Sequence, residues 1–158
     1  MKRMITAVVI VILLFAGFAL IANAGSDHQG DWQEYIEQLC EDKDISPELV
    51  EALIERESTW NSEAVNGNCI GLMQVDKNIY KDLIGSRNLT DPYDNIQIGI
   101  EILEDLIHKY GEAAPALMFY NAGYSESCGI VAYHDGTISN YADWILNRAE
   151  ELERLHGK

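Results

Sequence analysis

The sequence is short of positive charge: 11 lysines and arginines stand against 26 aspartates and glutamates, for a net charge of −15. It contains no basic run. Phosphate backbones are held through clustered Lys and Arg, so nucleic acid is excluded as a partner. The same charge repels anionic lipid headgroups and polyanionic wall polymers, and mostly keeps a surface solvated. Histidine is sparse, and His28, His108, His134 and His156 lie at no ligand spacing from one another, so no metal site is indicated. A glycine-rich phosphate loop, internal repeats and low-complexity tracts are all missing. Period-two alternation is nowhere sustained over several strands, which leaves an all-α or nearly all-α domain. Of three cysteines, Cys40, Cys69 and Cys128, at most two can pair within the chain. None follows the first apolar run closely, which argues against lipidation.

Only one long apolar run is present. Met1-Lys2-Arg3 supplies a positive start, Ile5 to Ala22 is apolar but for Thr6 and Gly17, and Ala22-Asn23-Ala24 fits a small-residue cleavage site. Residues 1–24 read as a signal peptide or, given the length of the run, a membrane anchor through residues 5–22. Either way the protein is exported. Residues 25–30 read as a polar linker and 31–158 as one domain, since the length suits one domain and not two. In an exported domain a Cys69–Cys128 disulfide would join two loops, with three separate thiols as the alternative.

The stretch from Ser46 to Ser58 organises the rest. Ser46 suits an N-cap and Pro47 the first helical position. Helical spacing then stacks Leu49, Val50, Leu53 and Ile54 into one stripe whose next place is Glu57. Glu48, Glu51 and Glu55 fall elsewhere and are expected in water. A carboxylate on a buried face must be paired or driven toward its neutral form. A neutral carboxylic acid near pH 7 can donate a proton, which cleavage of a glycosidic bond requires. The plainer alternative is a glutamate facing solvent at a fraying helix end.

Around this helix the periodicity places others. Trp32, Tyr35, Ile36 and Leu39 mark a helix over Asp31–Cys40, and Asn66-Gly67 marks a tight turn. A helix passes through Ile79, Tyr80, Leu83 and Ile84 to Gly85. Asp91-Pro92 opens a long helix with Ile96, Gly99, Ile100, Leu103, Leu106 and Ile107 on its stripe, ending near Gly111. The next runs from about Glu112 to Tyr120 and is broken at Asn121-Ala122-Gly123. A hairpin is possible at Asp135-Gly136. The last helix starts near Asn140 and is expected to bury Tyr141, Trp144, Ile145 and Leu152.

Four pieces then line up in order: Glu57-Ser58 at a helix end, Gly71-Leu72-Met73-Gln74, Asp91-Pro92 with Asn95-Ile96 and Gly99, and Tyr120-Asn121-Ala122-Gly123. Together they resemble the soluble lytic transglycosylase catalytic domain, of the goose-lysozyme-like family, from about Tyr35 to Leu155. The resemblance implies a mainly helical, lysozyme-like α+β fold whose cleft binds the peptidoglycan glycan. It implies Glu57 as the single catalytic acid and base, with Ser58, Met73, Gln74, Tyr120 and Asn121 against the sugars and Tyr141 approaching Glu57. The bond cut is the β-1,4 link between N-acetylmuramic acid and N-acetylglucosamine, and no metal or organic cofactor is implied. Met73 and Tyr120 read equally as core fillers, and Asn121 as a helix cap. Cys69, Ile70, Phe119 and the Tyr124–Thr137 segment depart from the family pattern, which bears on cleft shape.

A lone acid fits a nonhydrolytic reaction that closes the sugar's C6 hydroxyl onto C1 as a 1,6-anhydro ring. The two-carboxylate scheme of ordinary glycosidases needs a second acid, for which Glu63, Asp76 and Asp143 are the candidates. A hydrolytic muramidase and an inactive wall-binding protein are the alternatives. Wall remodelling, a secretion or conjugation machine, and a phage are all compatible settings.

Overall fold

The computed structural model describes residues 26–122 and 137–158. The 5–22 segment, Cys128 and the possible hairpin at Asp135-Gly136 lie outside the described residues. Among those described, no helix is long and apolar enough to cross a membrane.

Six helices and a small sheet make up the described fold. Helix α1 (Ser26–Cys40) buries Trp32, Ile36 and Cys40, one turn apart on one face. It begins inside the 25–30 stretch that composition marks as linker. Helix α2 (Pro47–Ser58) starts as its cap residues dictate: the Leu49 N–H donates to Ser46 Oγ at 3.2 Å. Val50, Leu53 and Ile54 are fully buried, each contributing roughly 1.5–3 kcal/mol by removal from water.

After α2 come three two-residue strands, β1 (Val65–Asn66), β2 (Cys69–Ile70) and β3 (Val75–Asp76), paired antiparallel in that order. Asn66 lies opposite Cys69 and Cys69 opposite Asp76, so the expected turn closes a hairpin at Gly67-Asn68. Helix α3 (Lys81–Ile84) is a single turn, shorter than its apolar spacing promises. Asp91 caps α4 (Pro92–Tyr110) by accepting from the Tyr93 and Asp94 N–H groups. Helix α5 (Ala113–Ala122) carries Asn121 and Ala122 in its last turn, past the expected break. Helix α6 (Asn140–His156) is capped by Ser139, whose Oγ accepts from the Ala142 N–H.

Helix α2 packs chiefly against α6 and also against α1, while α4 packs on α5 and α5 on α6. The core therefore surrounds α2 and α4. Two expectations fail here. Glu48 and Glu51 are not in water but 1% and 2% exposed. Trp144 is not buried: it is 38% exposed, beside the Arg56 guanidinium.

Candidate active site

Glu57 continues the apolar stripe of α2 and emerges, half-buried, at the helix's C-terminal end. From α6, the Tyr141 hydroxyl donates a hydrogen bond to Glu57 Oε1. Burial raises the Glu57 carboxyl above its ordinary value, and the Tyr141 hydrogen bond and the Arg56 charge only partly oppose this. No salt bridge reaches it among the described residues, and no second carboxylate is among the groups that shift it. The Tyr141 phenol is itself driven up, first by burial and then by the facing Glu57, so it stays a proton-bearing donor.

The sheet and the loop between β2 and β3 face this helix end, and Asn95 of α4 holds that loop. Its side chain is fully buried: Oδ1 accepts from the Met73 N–H at 2.9 Å, and Nδ2 donates to the Ile70 and Leu89 carbonyls at 2.8 and 3.0 Å. Two glycines permit this approach. A Cβ on Gly71, at φ +80°, would stand 2.3 Å from Asn95 Nδ2, and one on Gly99 would stand 2.2 Å from Met73 Sδ. Tyr120 reaches from α5 and donates its hydroxyl to the Met73 carbonyl at 2.9 Å. Gln74, itself at φ +48°, donates through Nε2 to the Ala64 and Gly71 carbonyls. Its amide is thus a brace across the loop.

Gln74, Tyr120 and Asn121 line one pocket of about 240 Å³ together with Cys69 and Tyr80. Glu57 lies near enough to act electrostatically on two of these lining residues, Tyr120 and Cys69. The structure thereby brings Gln74, Tyr120 and Asn121 to one pocket, with the hydrogen-bonded Glu57–Tyr141 pair close enough to act on Tyr120.

Two expected residues stand apart. Met73 is fully buried against Gly99, so its side chain has no surface to offer a sugar. Ser58 is buried and donates its hydroxyl to the Ile54 carbonyl at 3.2 Å, turned back onto its own helix. Cys69 carries a free thiol, and its proposed partner Cys128 lies outside the described residues. Of the candidate second acids, Glu63 and Asp143 are exposed, while Asp76 accepts from the Asn78 and Ile79 N–H groups through Oδ1 and lines the same pocket as Gln74 and Tyr120. Among the described residues no cluster of three or more His, Cys, Asp and Glu is placed to hold a metal.

Asn95 is the residue whose role sequence reasoning missed. A signal existed: an amide on the buried stripe of α4 must find partners, and a loop beside it is where they would be.

A half-buried carboxyl raised by burial, near a pocket of a mainly helical domain, is an arrangement that suits proton transfer. Residues 34–154 match the Transglycosylase SLT domain family, and the chain belongs to that family. Over 97 residues it is 31% identical to the protein named "Transglycosylase" of Enterobacteria phage PRD1, a match covering 61% of this chain and 36% of that protein. The chain thus aligns with about a third of the length of that relative.

Proposed function

We propose that this protein is a peptidoglycan lytic transglycosylase that cleaves the MurNAc–GlcNAc β-1,4 bond without water, with Glu57 as its only acid and base. The observation that carries this reading is the setting of Glu57: burial raises its carboxyl, Tyr141 bonds to it, and no second carboxylate is among the groups that shift it. Family membership supplies the substrate class.

Tyr141 donates to Oε1, so the proton of the neutral acid resides on Oε2. From there it passes to the glycosidic oxygen as the bond to C1 breaks, and the departing sugar leaves as an alcohol. Positive charge on the muramic ring is shared by that sugar's N-acetyl group. Glu57 is now a carboxylate, and its bond from Tyr141 becomes charge-assisted and stronger at the moment charge appears. The carboxylate then takes the proton of the C6 hydroxyl, whose oxygen closes onto C1 as the 1,6-anhydro ring. Glu57 ends as it began.

The groove residues divide the remaining work. Gln74, Tyr120 and Asn121 face the glycan, while Asn95 keeps the Gln74 loop in place. The reaction takes place outside the cytoplasm, with the 5–22 segment as export signal or anchor, and an envelope-spanning secretion or conjugation machine is a compatible partner. Mass spectrometry of the muropeptides released from purified sacculi tests the reading. Anhydro-muramic ends are expected. Reducing ends throughout would make the protein a hydrolytic muramidase, and binding without cleavage would make it a wall-binding protein.

A further inference from the structure

Arg56, next to the catalytic acid, is an exposed cation in a chain of net charge −15. Among the described residues it forms no salt bridge, whereas Arg87 pairs with Glu101 and Arg148 with Glu55 and Glu151. Its chain neighbour Glu55 is occupied by Arg148 at 2.9 Å, and Arg56 acts on its other neighbour, Glu57, through space without an ion pair. Two rings position the guanidinium instead, with its carbon 5.8 Å from the centre of Tyr141 and 5.5 Å from that of Trp144. Tyr141 and Trp144 lie one helical turn apart on α6, so they present one continuous aromatic ledge. The large apolar surface of Trp144 is left exposed there.

We propose that Arg56, flanked by Tyr141 and Trp144, binds a carboxylate on the lactyl side arm of the muramic sugar being cleaved. The inference rests on the functional reading above, which places that sugar beside Glu57. A guanidinium held over aromatic rings keeps its N–H edge free for an acceptor, and a planar fork of donors matches a carboxylate. The ring faces suit the small apolar groups that flank such a carboxylate. N-acetylglucosamine carries no acidic group, so the contact tells the two alternating sugars apart and sets the register of the strand on Glu57. Two sources share this chemistry: the carboxylates of a stem peptide joined to the lactyl group, and the lactyl carboxylate itself where the peptide has been removed.

The test measures binding to the full chain carrying Glu57→Gln, with and without Arg56→Gln and Arg56→Lys. The ligands are peptide-bearing glycan strands, peptide-stripped strands, and N-acetylglucosamine oligomers of equal length. Arg56→Gln is expected to weaken carboxylate-bearing strands about tenfold and the neutral oligomers less than twofold, with Arg56→Lys intermediate and added salt reducing the difference. An effect confined to peptide-bearing strands assigns the stem peptide, and one confined to stripped strands assigns the lactyl carboxylate. Equal weakening of all three ligands, or none, overturns the proposal. Should the unsubstituted protein cleave no strand, the functional reading falls, while these affinities still decide the role of Arg56.

Discussion

Glu48 and Glu57 lie near opposite ends of α2, and their surroundings drive their carboxyl groups in opposite directions. Glu48 is 1% exposed, yet Lys158 Nζ at 2.7 Å and His156 Nδ1 at 3.0 Å both meet its Oε1. Burial alone would raise its pKa, but these bonds outweigh it and hold the carboxyl below its ordinary range. Glu51, one turn on, has only the neutral amide of Gln33 at 2.8 Å, and burial leaves it raised. Glu57 is raised likewise, with a phenol for a partner. Burial therefore does not by itself make a proton donor. The partner decides, and of these three glutamates Glu57 is the one that combines a neutral partner with a position near the pocket of Gln74 and Tyr120.

The substitution with the largest expected effect is Glu57→Gln, which keeps shape and removes the proton. Activity should fall by roughly 10²- to 10⁴-fold, the usual worth of general acid–base catalysis. The stability consequence has a definite sign. A carboxyl raised on folding contributes most below its unfolded pKa and loses that contribution as pH rises through its folded one. Relative to the parent, Glu57→Gln should thus hold or gain thermal stability as pH increases. A variant that unfolds more easily at neutral pH would give Glu57 a structural role like that of Glu48.

Asn95→Ala comes next. It orphans the Met73 N–H and the Ile70 and Leu89 carbonyls. A loss of about 2–4 kcal/mol is expected in denaturant unfolding, with activity reduced because the Gln74 loop is freed. Full activity in a destabilised protein would show that the loop needs no brace.

Tyr141→Phe removes the hydrogen bond that most opposes the rise of Glu57. The alkaline limb of the activity profile should move to higher pH, and the maximal rate should fall about tenfold, roughly 1.4 kcal/mol. A limb displaced downward would mean that Tyr141 does not act on the acid.

Glu48→Gln is the counterpart at the quiet end, expected to cost about 1–2 kcal/mol while leaving cleavage intact, since Lys158 and His156 can turn to solvent. A carboxyl depressed on folding contributes above its unfolded pKa and loses that contribution as pH falls through its folded value. The variant should accordingly lose less stability than the parent on acidification below the ordinary carboxylate value of 4.5.

What the sequence shows of this contrast depends on distance along the chain. The caps Ser46-Pro47 and Asp91-Pro92, and the stripe that ends at Glu57, are local patterns, and local patterns suffice to start helices and to aim one acid inward. Tyr141 reaches Glu57 from a distant helix, and only the resemblance names it. The burial of Glu48 is invisible because Lys158 and His156 arrive from the far end of the chain. Trp144 has buried spacing but lies where α6 faces Arg56 at the rim of the core. Ser58 and Met73 carry the motif's residue types while pointing inward, since a motif records identity and not direction.

Site-resolved carboxyl titration by ¹³C NMR, following Glu57 and Glu48 in one sample, tests the central claim most directly. Glu57 should titrate above the ordinary value of 4.5 and Glu48 below it. A Glu57 that titrates at or below 4.5 would be an ordinary solvated carboxylate, unable to serve as the protein's proton donor.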